Sequence, residues 1–548
     1  MPSLSPMTGN LTRAQAAHLL RRATFGPTRQ EINDLTGMSA DAAVDLLFQA
    51  QPAPAAPLHP QTGVPFTDRE EFDMEDPGQA LIAYVRSWWL KQMIQADKSA
   101  LEKMTFFLHT HFTMDAVKVN RAFAIYQMNA LMRQFAFGDF KALAKKIITD
   151  YAMSVFLDGW TNNVNNPNEN FAREYLELFT IGKGQQIGDG NYTTYTEDDV
   201  QAAARLLTGF IPSGFLPDNQ VPPTIPIMTD PETGLYTATP VPVFHDIGAK
   251  NFSEAFQNQT ITLGSFDTAG MQAELDDFVD MIFNQDATAE FLVRKLYRFF
   301  VYYEITEEIE NDIIQPLAAT FRNNNYNLET VVKQLLKSEH FYDVDNSPDE
   351  EKNIGGLVKS PIELIVGVAR YFQVPLPDES TSSLDHYGTL LLYDLFSRQT
   401  EMELFQVPEV AGWPAYHQEP AYNRNWVNST TLVNRFSGME FLVRGVPVND
   451  DTYNVRLDAV DFLENGPSVS NAFDPNAVVG DLVEDLFPFN ADLTKIEVLK
   501  DLLLDGDVDA YWSTEWANYI NSGMDSVVRI RLEALFDAIL QSPEFQLS

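Results

Sequence analysis

Cysteine is absent from this chain, which excludes disulfides, thiolate metal sites and cysteine nucleophiles. The absence leaves the compartment open, because a core this large needs no covalent staple. Histidine is sparse, at eight residues in 548. Cations are in deficit: 37 Lys and Arg stand against 77 Asp and Glu, a net charge of −40. So acidic a chain repels phosphate backbones and anionic lipid heads. Nucleic-acid and membrane-surface roles are disfavoured, and cations or a basic protein partner are attracted. Nowhere does the sequence offer the ~18 uninterrupted apolar residues of a membrane helix. Met1–Asn10 is short and polar, without the charged and then apolar pattern of a signal peptide. The expectation is a cytoplasmic protein, or an extracytoplasmic one if the N-terminus is processed. Also missing are Gly-x-x-x-x-Gly-Lys-Ser/Thr, Gly-x-Gly-x-x-Gly after a strand, Gly-x-Ser-x-Gly and His-Glu-x-x-His. Nucleotide-driven chemistry, dinucleotide redox chemistry and the commonest serine and zinc hydrolases are thereby disfavoured.

What is present is an apolar fraction of 45% with 12% aromatics, enough for two to four packed units at this length. Apolar residues recur at three- and four-residue spacing over His18–Ala23, Ala40–Phe48, Gln79–Ile94, Ala142–Tyr151 and Asp198–Leu207. The same spacing returns over Gln272–Phe283, Ala289–Phe300, Leu328–Leu336, Pro361–Tyr371 and Val527–Leu540. Strand-like alternation is confined to Thr260–Leu263 and short pieces between Val221 and Phe244. The pattern predicts a mostly α fold, a large multi-helix bundle with a long irregular insertion of minor β structure. Its expected parts are an N-terminal helical cap (1–50), a Pro-rich linker (51–76) and a helical core with the candidate site (77–209). There follow the insertion (210–266), a second helical part of the core (267–440) and a C-terminal helical region (441–548). Asp343–Lys352 reads as an acidic exposed turn. Leu335–Phe341 and Ile539–Phe545 both end a helix with Leu-x-Ser-x-x-Phe, an echo that fits either two helical halves or chance.

Asn168–Gly182 concentrates ionisable groups on one short helix. Asn166, Pro167 and Glu169 read as an N-cap, a first-turn proline and a capping-box acid, and Gly182 as the stop. At about 100° per residue, Glu169, Asn170, Arg173, Glu174 and Glu177 form one stripe. On a solvated face this is a salt-bridge ladder. Roofed over, Glu174 and Glu177 become a catalytic pair or, for Glu177, a metal ligand.

His109 and His111 lie about 200° apart if their helix continues, and on one side if it ends near Leu108. With His245 and Glu177 they make a candidate ligand set for a divalent metal (zinc, iron, manganese or calcium), with His111 doubling as a base. Their bland roles are a helix C-terminal cap, a core histidine and, for His245-Asp246, a turn. His18, Arg21 and Arg22 share a helix face that either pairs with carboxylates such as the Glu169–Glu177 stripe or binds a substrate phosphate, sulfate or carboxylate, with Arg173 a further substrate contact. Arg294, Lys295 and Arg298 repeat the theme. Trp413, Tyr416, Tyr422 and Trp426, interleaved with His417, Asn423 and Arg424, suit either stacking on a sugar, with Trp413 in that role, or a loop pinned by its aromatics. Asp505–Asp509 alternates acids like a calcium loop but lacks the glycine at the sixth position and the glutamate at the twelfth.

Together Ala17–Gly26, Glu102–Phe112, Asn168–Gly182, Tyr195–Val200, Ala204–Gly209, Phe291–Val301 and Val410–Pro414 resemble the bacterial family catalogued only as domain of unknown function 1800. The segments keep the family's order. The resemblance implies an α-helical bacterial protein and carries over no catalytic residue. The residues themselves point to one of two functions. One is metal-assisted or carboxylate-driven hydrolysis of a polar or saccharide substrate. The other is a non-catalytic scaffold or partner-binding component with a structural polar network.

Overall fold

A computed structural model of the chain describes residues 2–59, 62–67, 79–212, 227–345, 353–450, 452–466 and 469–548. It is mostly α, with 58% of residues helical and only short strands. Helix starts follow from local chemistry. Thr12, Thr28, Thr196 and Ser360 each close a capping box with Gln15, Glu31, Asp199 and Glu363, satisfying first-turn N–H groups that have no partner within the helix. The described strands form five two-stranded antiparallel ribbons. Three of these, Phe210–Ile211 with Thr239–Pro240, Met228–Thr229 with Tyr236–Thr237, and Lys250–Asn251 with Thr260–Ile261, belong to the expected insertion. Its residues 213–226 lie outside the described residues, as do 346–352 of the acidic turn and parts of the Pro-rich segment.

Buried apolar side chains run as one continuous cluster from Leu11 to Phe545. Leu101–His111 packs on Ala122–Phe135, and Asp286–Phe300 on Gln315–Asn323 and Leu328–Leu336. Pro361–Tyr371 packs on Gln79–Gln95 and Ser383–Gln399, and Ser526–Leu540 on Leu493–Leu504 and Ser429–Arg444. The described part of the Pro-rich segment is anchored: Trp88 Nε1 donates to the Ala55 carbonyl at 2.8 Å, and Phe66 is buried.

Two helix boundaries differ from the periodicity. Ala142–Tyr151 is not one helix: Phe140–Ile148 ends, and the buried Asp150 carboxylate accepts the Met153 N–H at 2.8 Å to start Tyr151–Phe156. The cap of the acidic helix is Asn168 rather than Asn166, its Oδ1 accepting the Asn170 N–H at 3.0 Å. The helix spans Glu169–Glu174 and continues as a π-helical turn, Tyr175–Thr180. Gly182 then stops it in the left-handed region, at φ +73°. The Leu-x-Ser-x-x-Phe echo is built identically at both sites. Ser338 and Ser542 donate to the carbonyl three residues back at 2.7 Å, and accept the N–H of Phe341 and Phe545 at 3.2 and 3.3 Å.

Candidate anion-binding cleft

The acidic stripe forms a ladder of ion pairs. Arg173 makes a two-pronged contact to Glu197 on the next helix, at 2.8 and 2.6 Å, with Glu169 at 3.7 Å. Glu177 accepts the Tyr195 hydroxyl at 2.8 Å and pairs with Lys183. Glu174 is half-buried, and burial, then the adjacent Glu177, raise its pKa above the usual glutamate value. Arg173 is thus held by carboxylates, and the stripe does not receive Arg21 or Arg22.

The three histidines do not meet Glu177 or one another. Leu101–His111 is helical to its end, so His109 and His111 take opposite sides. His109 is enclosed by Trp89, Phe405 and Trp413, with ring centroids 5.0–5.5 Å away. Its Nε2 accepts the Phe405 N–H at 3.2 Å, and burial pushes its pKa down to about 3. His245 is also buried. Its Nδ1 lies 2.8 Å from the Thr208 carbonyl and its Nε2 2.6 Å from Glu274, whose other oxygen accepts from Lys250 at 2.6 Å. Asp246 binds Arg205 through both oxygens, at 2.9 and 3.0 Å. Among the described residues, no three His, Asp or Glu side chains are grouped to hold a metal ion. Asp507 and Asp509 of the acid-rich turn pair with Arg531 and Lys500.

His111 faces a different place. Its Nε2 lies 2.9 Å from the Phe179 carbonyl, an acceptor, so the proton sits on Nε2 and Nδ1 carries the lone pair. Lys295 Nζ stands 3.3 Å from that Nδ1. Both line a cleft between Leu101–His111, Asp286–Phe300 and the 411–426 loop, with a cavity of about 40 Å³. The walls carry Arg22, Lys103, Lys295 and Arg298 beside His111 and His417; among the described lining residues the one acidic side chain is Glu363, and Ser548 also reaches the wall. In a chain of charge −40 this inversion is local and built.

Glu363 already has partners. One oxygen pairs with Lys103 and the other accepts the Ser360 N–H at 2.7 Å. Burial pushes its pKa up, but Lys103 and the Ser360 donors outweigh that and hold it below the ordinary range. Arg22 is 2% exposed. Its Nη2 donates to the Asn353 carbonyl, while Nε and Nη1 have no partner. Burial pushes its pKa down to about 9, so it remains charged at neutral pH. Arg21 lines an adjoining cavity that shares Glu363 with the cleft. It donates to the Asp485 and Phe487 carbonyls at 2.9 and 2.8 Å and leaves Nη1 free. Arg435 likewise leaves Nη1 free. Buried N–H groups without partners are rare in folded proteins, and each calls for an explanation.

The aromatic loop contributes unequally. Trp413 is buried against His109 and does not line the cleft. Tyr416, Tyr422 and Trp426 do line it, and Tyr422 stacks under the Arg298 guanidinium at 4.6 Å. His417 Nε2 lies 3.1 Å from Glu409 but out of line for a hydrogen bond, and burial lowers its pKa. Of the residues singled out in the sequence, the cleft receives Arg22, His111, Lys295 and Arg298 and, from the aromatic loop, Tyr416, His417, Tyr422, Asn423 and Trp426, with Arg21 in the cavity beside it. Lys103 and Glu363 were not singled out. A lysine directly preceding the largely apolar run Met104–Leu108 and the Ser360/Glu363 capping pair were the available signals.

Among the described residues, no helix is long and apolar enough to cross a membrane. No curated protein matches the chain, nor does any solved structure. A family model matches residues 18–547, nearly the whole length, and the chain belongs to that family, described as "Protein of unknown function (DUF1800)".

Proposed function

We propose that the cleft recognises the anionic group (phosphate, sulfate or carboxylate) of a small polar substrate, an acidic saccharide included, and that the chain is an enzyme acting beside that group. One observation carries this reading. Arg22 is buried at the cleft wall with the N–H groups of two of its three guanidinium nitrogens unpartnered, buried charged donors that an anion would satisfy. Arg298 adds charge that Glu363, already held by Lys103, does not neutralise. Tyr422 and Trp426 line the same cleft and supply aromatic wall for the rest of the substrate. The reading asks nothing of the expected metal set, whose side chains diverge, nor of Glu174 and Glu177, which face the Arg173–Lys183 ladder.

Calorimetric titration with sulfate, phosphate and a uronic-acid oligosaccharide, against a neutral oligosaccharide of equal length, tests it. The anions bind and the neutral control does not. Arg22→Gln weakens anion binding by roughly 10- to 100-fold, the size of a charge-assisted pair. Equal affinity for neutral and acidic ligands, or an Arg22→Gln variant that binds as well as the parent, sinks the reading.

A further inference from the structure

Lys295 is the one lysine on the cleft wall without a carboxylate. Among the described residues its hydrogen-bond partners are the Leu178 carbonyl at 3.0 Å and His111 Nδ1 at 3.3 Å. Both are acceptors, because the Phe179 carbonyl keeps the His111 proton on Nε2. Two acceptors match the two N–H bonds of a neutral amine, and the lone pair is left for the cleft that Lys295 lines. Lys103, across the same cleft, is the contrast: it is closed by its ion pair with Glu363.

We propose that Lys295 is the proton acceptor of the cleft, a neutral amine that takes a proton from the substrate bound by Arg22. This rests on the anion-binding reading above. In the step, a substrate C–H or O–H bond next to the anionic group breaks and its electron pair stays on the substrate. The proton joins the Nζ lone pair, and the new ammonium keeps Leu178 and His111 while its third N–H turns to the substrate anion. The surroundings favour the neutral start. The Nζ lies 4.8 Å from the centre of the Phe291 ring. Burial, and then Arg298 one turn along the same helix, push its pKa down to about 7. Of the other elements on the cleft, His111 is uncharged, since burial above all holds its pKa well below the ordinary value. His417 is lowered by burial, Arg22 and Lys103 are cationic, and Glu363 is held by Lys103. An arriving anion therefore brings the charge that lets Lys295 hold a proton.

The probe is sulfate, titrated into the full-length chain at pH 7.5 in two buffers of low and high ionisation enthalpy. Binding should take up between about one half and one proton per sulfate, as linkage requires for an amine half-neutral near pH 7. Lys295→Met should abolish that uptake while weakening sulfate by no more than about tenfold, the loss of one of several cations. Independently of ligand, reductive methylation at pH 7 mapped by mass spectrometry should modify Lys295 at least about tenfold faster than the exposed Lys118 and Lys183. Sulfate binding without proton uptake, uptake that survives Lys295→Met, or slow labelling of Lys295 each overturns the proposal. Fast labelling with no sulfate binding upholds the free amine and overturns the anion reading instead.

Discussion

At the scale of single residues, burial decides which ionisable groups are unusual. Arg173 and Glu177 carry the most conspicuous charge pattern in the sequence, yet each is answered by a neighbour within a few ångströms. Lys295 and Arg22 sit in less conspicuous contexts and are left without anionic partners. Asp150 shows the same principle outside the cleft. It is 5% exposed, and burial outweighs its cap hydrogen bonds to raise its pKa from 3.8 to about 7. A carboxyl whose folded pKa lies above its unfolded one favours the fold in its protonated form. That contribution is complete below pH 3.8 and is lost as the pH rises through about 7. Asp150→Asn keeps an acceptor for the Met153 N–H and removes the charge. The variant should gain on the parent by about 3 kcal/mol between pH 5 and pH 8.5, at about 1.36 kcal/mol per pKa unit, the first part of the shift being lost already below pH 5. Thermal unfolding across that range checks it, and a pH-independent difference in Tm refutes it.

At the scale of elements, the end of the acidic helix holds two side chains of the cleft wall. The carbonyls of Leu178 and Phe179 hold Lys295 and His111, and both belong to the π-helical turn that Gly182 terminates. A Cβ at Gly182 would run into the Phe291 ring, on the helix that carries Lys295, and the backbone there is at φ +73°. Gly182→Ala should therefore cost about 2–4 kcal/mol, steric overlap added to backbone strain. Gly37 is the control, at φ +85° with nothing within 4 Å of the added carbon. Gly37→Ala should cost only about 1 kcal/mol. Urea denaturation of both variants measures the difference, and equal losses would show that the contact with Phe291 is relieved cheaply.

At the scale of the whole molecule, long-range polar ties hold distant segments around the cleft. Arg370, 4% exposed, donates to the Gly26 carbonyl at 2.8 Å, to the Ile94 carbonyl at 3.2 Å and to both oxygens of Glu31 at 2.8 and 3.1 Å. It joins the N-terminal helices, the end of Gln79–Gln95 and Pro361–Tyr371, whose first turn supplies Glu363. Arg370→Met leaves Glu31 buried beside carbonyls that have lost their donor, a loss of about 3–5 kcal/mol for breaking a buried pair. A Tm within a degree of the parent's would refute that. Sulfate affinity, measured below the variant's unfolding range, reports whether the tie also positions the cleft.

Amphipathic spacing determined most of the helices, because an apolar stripe with a 3.6-residue period has few ways to be buried other than as a helix. The stop at Gly182 was legible for the same local reason. So was the presence of Arg22 and His111 among the chemically pointed residues. The caps Thr12, Thr28, Thr196 and Ser360 were not read, and the one cap that was expected, Asn166, is Asn168 in the fold. Only the tertiary structure decided which side of the charge pattern mattered. Whether an ionisable group is paired depends on groups tens to hundreds of positions away: Glu363 for Lys103, Asn353 for Arg22, Phe179 and Lys295 for His111. The sequence specifies each side chain's charge and its face on a helix, while the dielectric around it and the partner that answers it exist only once the helices have packed.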